Sequence, residues 1–276
     1  MAMTPPNGPT TGKAIGRRGF LAAVLALPLA LPACSATKGG DAVEASASAF
    51  PLSLTNAYGT TTVEAPPKRV VALSSADADT CAALGLAPVG ISGSASSPWL
   101  TSAMRDINGA PPFLLNDKVE MPLDDIRNLD PDVILAVGGN ITRADYDKLS
   151  EIAPVVLPES ADSGGEWRQR SALVGKVLGR SDAAAELQAK TEGAVRDSVR
   201  DYAGLKGTTI LFAAASSADG ADIQVYPEDS VVLGVLKDFG LVPAPAMAKV
   251  EKEGRATGGQ KSPVSYVWPH ERAGEL

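Results

Sequence analysis

Few residues in this chain are equipped to make or break bonds. It holds one histidine, His270, beside Pro269, and two cysteines, Cys34 and Cys81. A Ser-His-Asp triad would have to use His270. Direct capture of a bare zinc or manganese ion wants several histidines with carboxylates. Gly138-Gly139 is not followed by the Lys-Ser/Thr of a phosphate loop. A net charge of -7 supplies no basic stripe for nucleic acid. What remains suits binding: small polar and aromatic residues that follow short apolar runs. Ser74, Ser75 and Asp77 follow Arg69 to Leu73; Ser92 to Trp99 follow Pro88 to Ile91. Gly138, Gly139 and Asn140 follow Val133 to Val137; Glu159 to Trp167 follow Val155 to Leu157. If the runs are parallel strands, these loops at their carboxyl ends border a cleft.

The elements that must position them can be read in order. Leu52, Leu54 and Thr60 to Val63 form two short strands around a Tyr58-Gly59 turn. Ser74 or Ser75 caps a helix that Gly85 ends, and Leu123 to Leu129 is a short helix stopped by Asp130-Pro131. Arg143 to Glu151 is helical, so strands and helices alternate, which argues a parallel sheet with helices on both faces. From Glu166 to Gly204 the pattern is helical. Trp167, Val174, Val177 and Leu178 share a stripe ended by Gly179, and Ser181 caps a second run of roughly 22 residues, about 33 Å long. Beyond it come strands at Thr208 to Ala213 and Ile223 to Val225, then a helix from Ser230 to Phe239 closed by Gly240. Pro243 to Gln260 reads as loop, with a last strand hint at Val264 to Tyr266. The expected fold class is α/β, two lobes with parallel-sheet β/α cores joined by a long helix, the second lobe short and apparently truncated. The expected segments are 1–33 as leader, 34–50 as a flexible tether, 51–165 as first lobe, 166–204 as connector and 205–276 as second lobe.

The front of the chain is an address. Lys13, Arg17 and Arg18 precede an apolar run from Phe20 to Ala33 that Pro28 interrupts and that is too short to span a bilayer. Leu31-Pro32-Ala33-Cys34 resembles a bacterial lipobox, which makes Cys34 the lipidated residue; an ordinary secretory leader is the alternative. Arg17-Arg18-Gly19-Phe20-Leu21 resembles a twin-arginine export signal, with Gly16 in place of the usual Ser/Thr. The protein is then expected outside the cytoplasm, held to the outer face of the cell membrane by its lipid. Ser35 to Ala49 reads as the tether. Cys81, among Ala82, Ala83 and Leu84, reads as a buried small hydrophobe.

Several stretches together resemble the iron-siderophore substrate-binding lipoproteins of ABC importers, in the ferric-siderophore/cobalamin binding superfamily. They are Ala57-Tyr58-Gly59-Thr60-Thr61-Thr62-Val63, Lys68-Arg69-Val70-Val71-Ala72-Leu73 and Ala83-Leu84-Gly85-Leu86-Ala87-Pro88-Val89-Gly90. Leu129-Asp130-Pro131-Asp132-Val133-Ile134-Leu135-Ala136 and Leu149-Ser150-Glu151-Ile152-Ala153-Pro154-Val155 continue the series, which runs from about Leu52 to Gly240. The resemblance implies two α/β lobes on one long helix, no enzymatic activity, no permanently bound cofactor, and a ferric siderophore as the transported ligand, with haem or cobalamin as alternatives. It implies two kinds of site. A bulky, often anionic chelate suits aromatic walls from Trp99, Trp167 and Tyr226 and charge from Arg143 or Arg168, beside Ser74, Ser75, Asp77 and Asn140. Trp167 has an equal claim to be helix packing, and Tyr146 reads as packing. In the family, one acid on each lobe pairs with permease arginines. Asp124 stands at the first of these positions, where the family has Glu. Glu271-Arg272-Ala273-Gly274-Glu275-Leu276 echoes Asp124-Asp125-Ile126-Arg127-Asn128-Leu129 and puts Glu271 at the second. The other function class compatible with these features is an envelope interaction lipoprotein that keeps the fold without transport.

Overall fold

The computed structural model describes residues 45–92, 97–107, 109–116, 120–139, 141–159, 167–215, 222–259 and 262–276. The leader, Cys34 and most of the tether lie outside them, as do Asn140 and Glu166. No helix among the described residues is long and apolar enough to cross a membrane.

The first lobe is a five-stranded parallel sheet: β3 (Val70–Ala72), β4 (Gly90–Ser92), β5 (Phe113–Leu115), β6 (Val133–Leu135) and β7 (Val155–Val156), in the order β5-β4-β3-β6-β7. The central pair explains the runs of unbroken apolar sequence. Val70, Val71, Ala72, Val133, Ile134 and Leu135 are all fully buried, because helices cover both faces. Each large side chain there contributes about 1.5–3 kcal/mol by leaving water. The helices are α1 (Ser75–Ala83), α2 (Pro98–Asp106), α3 (Leu123–Asn128) and α4 (Arg143–Ser150). Asp132 fixes the entry to the central strands, its carboxylate accepting the N–H groups of Lys68 and Arg69 at 2.8 and 2.9 Å.

An antiparallel hairpin, β1 (Leu52–Asn56) with β2 (Gly59–Val63), lies against this lobe. Its anchors reach far along the chain. Tyr58 donates its hydroxyl to Ile141 O (2.9 Å), Thr61 donates to Val155 O (2.7 Å), and Asn56 Nδ2 donates to Thr61 Oγ1 (2.9 Å). Tyr146 is buried beside them, its ring 5.3 Å from that of Tyr58, so it packs as expected from its helix.

The connector is two helices. α5 (Trp167–Val177) roots Val174, Val177 and the following Leu178 in the first core beside Cys81 and Leu84. Gly179 then turns the chain at φ +67°. α6 (Ser181–Val199) has 19 residues, about 28 Å rather than 33 Å. Ser181 is its first residue, and Arg180 occupies the cap without a side-chain capping bond, so that expectation is corrected.

The second lobe is richer than its sequence suggests. β8 (Thr209–Ile210) pairs in parallel with β11 (Val242–Pro243), while β9 (Ala213–Ala215), β10 (Asp222–Val225), β12 (Arg255–Gly259) and β13 (Ser262–Pro269) form an antiparallel sheet ordered β12-β13-β10-β9. The expectation of a parallel core thus holds in the first lobe, and among the described residues only the β8–β11 pair is parallel in the second. α7 (Val231–Asp238) is capped by Ser230 and followed by Gly240 at φ +84°. The loop expected over Pro243 to Gln260 is instead α8 (Ala246–Glu253) and β12. Pro245 stands at the start of that helix, where proline is tolerated, and Met247 and Val250 bury its inner face. They pack with Val225 and Trp268 as a separate core.

Candidate functional site

In the first lobe the chain runs from β3 out to β5 on one side, then returns to place β6 on the other side of β3. The strand order therefore reverses between β3 and β6, and ligands of open α/β sheets bind outside the carboxyl ends of the strands at such a point. The loops that leave these two strands meet there. After β3, Ser74 caps α1, its hydroxyl accepting the Asp77 N–H at 3.1 Å. After β6, Gly138 donates its N–H to both carboxylate oxygens of Asp77, at 3.1 and 3.2 Å. A Cβ on Gly138 would stand 2.7 Å from Ser74 Oγ, and one on Gly139 would stand 3.5 Å from Leu73 O. Gly138 is what allows the loops that form this floor to approach this closely, whereas a Cβ on Gly139 would make only ordinary contact. Replacing Gly138 by alanine is expected to push Ser74 out of its cap, at about 0.5–2 kcal/mol. In a Ser74→Ala background the same change should cost much less; additive losses in urea unfolding would refute the shared contact.

Asp77 is fully buried, so it holds the floor from beneath and does not face a ligand. Burial pushes its carboxyl above the ordinary value, against the pull of Ser74, Gly138 and the Arg170 charge. Arg170 was not singled out in the sequence. Its Cδ lies 3.5 Å from the position of a Gly138 Cβ, and its charge acts on both Asp77 and Asp79. The cation at this edge is thus Arg170, two residues beyond one of the arginines chosen. Arg143 is turned elsewhere. Its Nε donates to Asp147 Oδ1 at 2.8 Å, and its guanidinium lies 5.8 Å from the Tyr58 ring.

The aromatic candidates do not form one wall. Trp99 is half exposed, on the first turn of α2 rather than in a loop, with Ser97 as the cap and Pro98 ahead of it. Trp167 donates its indole N–H to Asp238 Oδ2 of α7 at 3.1 Å, so it joins lobes rather than packing only on the first. Tyr226, half-buried after β10, meets Phe212 edge-on at 5.2 Å; Phe212 is a second accessible ring that the sequence reading missed. Ser75 is exposed beside Ser74. Asn140 lies outside the described residues. Cys81 is buried and unbonded, and burial with the nearby Asp77 charge pushes its thiol far up, which leaves it inert.

Both docking candidates are on the surface. Asp124 is on the first turn of α3, its side chain 94% exposed and paired only with Arg127, at 2.9 Å, among the contacts described. Glu271 is also exposed, its carboxylate 3.3 Å from His270 Nδ1. The sequence echo between them is not a structural one, since Glu271 sits in a 3-10 turn (His270–Glu275) and Asp124 in an α-helix. Among the described residues, no group of three or more His, Cys, Asp or Glu could hold a metal ion.

The periplasmic binding protein family model matches residues 70–265. The probable siderophore-binding lipoprotein YfiY of Bacillus subtilis (strain 168) is 31% identical over 182 residues, covering 64% of this chain and 52% of YfiY. The Fe(3+) dicitrate-binding periplasmic protein FecB of Escherichia coli (strain K12) is 27% identical over 203 residues, covering 72% of this chain and 65% of FecB. The chain thus spans about half the length of one curated relative and just under two thirds of the other. Among solved structures, PiaA of Streptococcus pneumoniae TIGR4 in complex with ferrichrome superposes with a TM-score of 0.72 at 28% identity, covering 81% of this chain and 75% of PiaA.

Proposed function

The chain belongs to the periplasmic binding protein family, and from that premise we propose that it is a lipid-anchored carrier that takes up a ferric siderophore and passes it to an ABC permease. The observation that carries this reading is the floor at the β3/β6 reversal. There, the exposed Gly138 and its neighbour Gly139 present backbone with no side chain of their own, and Arg170 supplies positive charge beside it. A ferric chelate is large and often anionic, so it needs space and a cation more than a precise set of donors. Accessible Trp99, Phe212 and Tyr226 supply apolar surface, with Ser75 and Arg170 as polar groups. Cys34 carries the lipid in this reading, which places the carrier on the outer face of the membrane. Asp124 and Glu271 face the permease. The relatives named above bind siderophores or ferric dicitrate by their own descriptions, which supports the ligand class.

The test is a tryptophan-fluorescence titration of the chain from Ser35 onward, with circular dichroism to establish folding. Ferric hydroxamate, ferric catecholate, ferric citrate, haem, cobalamin and free iron are the ligands. Saturable quenching by one ferric chelate, and not by free iron, is the expected result. A folded chain that responds to none of them would replace the carrier by an envelope interaction lipoprotein.

A further inference from the structure

We propose that Arg168 is a positioning residue that sets the angle between the two lobes by clamping α7 of the second lobe to α5 of the first. α5 is part of the first core, through Val174, Val177 and Leu178. From its first turn, Arg168 reaches across in two directions. Nη1 and Nη2 form a fork on Asp238 Oδ2 and Oδ1, at 3.1 and 2.9 Å, and Nε donates to Glu192 Oε1 of α6 at 2.7 Å. The guanidinium lies 4.3 Å from the Trp167 ring, and the same indole donates to Asp238. Gln188 braces the backbone of this turn, donating to Arg168 O at 2.7 Å and to Ser171 Oγ at 2.6 Å.

Four features separate a clamp from an incidental surface pair. The fork is planar and two-pronged, so it constrains orientation as well as distance. The Asp238 side chain is only 21% exposed, against 94% for Asp124 in its pair with Arg127. Burial pushes the Asp238 carboxyl up, yet the hydrogen bonds from Arg168 and Trp167 win and hold it below the ordinary value. Asp238 is also the last residue of α7, an end where the helix dipole disfavours an anion. A residue placed against its local preference points to a tertiary partner, and here the partner is Arg168.

The clamp joins the first turn of α5 to the last residue of α7 in the second lobe. Its effect on ligand rests on the carrier reading: if only one lobe angle is competent to bind, freeing the angle raises Kd by the inverse of the competent fraction. The clamp itself can be read without ligand.

Spin labels on Lys148→Cys of α4 and Lys252→Cys of α8 report the lobe separation in the full chain carrying Cys34→Ser, since Cys81 is buried and stays unlabelled. The parent is expected to give one narrow distance distribution by pulsed electron resonance. Arg168→Gln and Asp238→Asn should each broaden it, while Glu192→Gln, which cuts only the α5–α6 pair, should not. An unchanged distribution in Asp238→Asn overturns the clamp, as does equal broadening in Glu192→Gln. Asp238→Asn keeps the shape of the side chain and decides the matter if Arg168→Gln does not fold. Ferric chelate Kd should rise about fivefold or more in the broadened variants. A parent that binds no ferric chelate removes the carrier reading and leaves the clamp to the distance measurement.

Discussion

Asp124→Arg is expected to abolish delivery of ferric chelate into cells while leaving the affinity of the purified chain unchanged. The residue is well suited to such a separation of effects. Its side chain is 94% exposed, and the pair it makes with Arg127 is an exposed i,i+3 contact worth under about 1 kcal/mol. Reversing the charge on the first turn of α3 costs about 0.3–1 kcal/mol against the helix dipole, too little to unfold the lobe. At a permease surface that presents arginines the same change replaces attraction by repulsion, a loss of roughly 2–5 kcal/mol. Uptake of labelled iron chelate, measured with the variant replacing the parental gene, decides it. Parental uptake would remove Asp124 from the docking surface.

The largest expected stability effect is at Trp268. The ring is fully buried between β10 and α8, where it packs with Val225, Met247 and Val250. Its indole N–H donates to Arg272 O at 3.1 Å, and the Arg272 guanidinium covers the ring at 4.2 Å. Arg272 in turn pairs with Glu253 and Glu275, and Lys249 also reaches Glu275, which holds the Glu275 carboxyl at about 2. Trp268→Ala removes the centre of this arrangement and leaves a cavity, at about 3–5 kcal/mol. The second core is small and separate from the first, so the loss should fall there. In urea, an early circular-dichroism transition is expected before Cys81, buried in the first core, becomes open to thiol reagents. A single transition at the parental midpoint would show that Trp268 is not the keystone of its lobe.

The sequence read best where burial is symmetrical. Val70 to Ala72 and Val133 to Leu135 are apolar at every position because both faces are covered, whereas β5 is equally apolar with Phe113 and Leu114 exposed. Positive-φ glycines at 85, 179 and 240 marked helix ends for the same kind of local reason. What was missed depends on context. Pro98 and Pro245 look like breakers in a string of residues, yet each stands at a helix start, and the short helices they open bury only Leu100 with Met104 and Met247 with Val250. Antiparallel pairing of β10 with β13 joins segments separated by α7, β11, α8 and β12, so no single local turn announces it. In the site, a loop position could be read but a side-chain direction could not. Asp77 and Ser74 stand three residues apart, and only the fold shows that Asp77 turns under the floor. Arg143, Arg168 and Arg170 are alike as letters. One meets Tyr58 and Asp147, one meets Asp238 and Glu192, and the third has its Cδ 3.5 Å from where a Gly138 Cβ would stand.

The hairpin of β1 and β2 carries a consequence for the order in which the molecule is assembled. Tyr58 and Thr61 are anchored to Ile141 and Val155, 83 and 94 residues further along. These anchors cannot form until that later stretch exists, and at a synthesis rate of about 5–20 residues per second the interval is roughly 4–19 s. A two-stranded ribbon without its anchors is marginal in water. The beginning of the lobe, made before the rest of it, is therefore among the last of its parts to be secured, and the hairpin waits through most of its own lobe's translation.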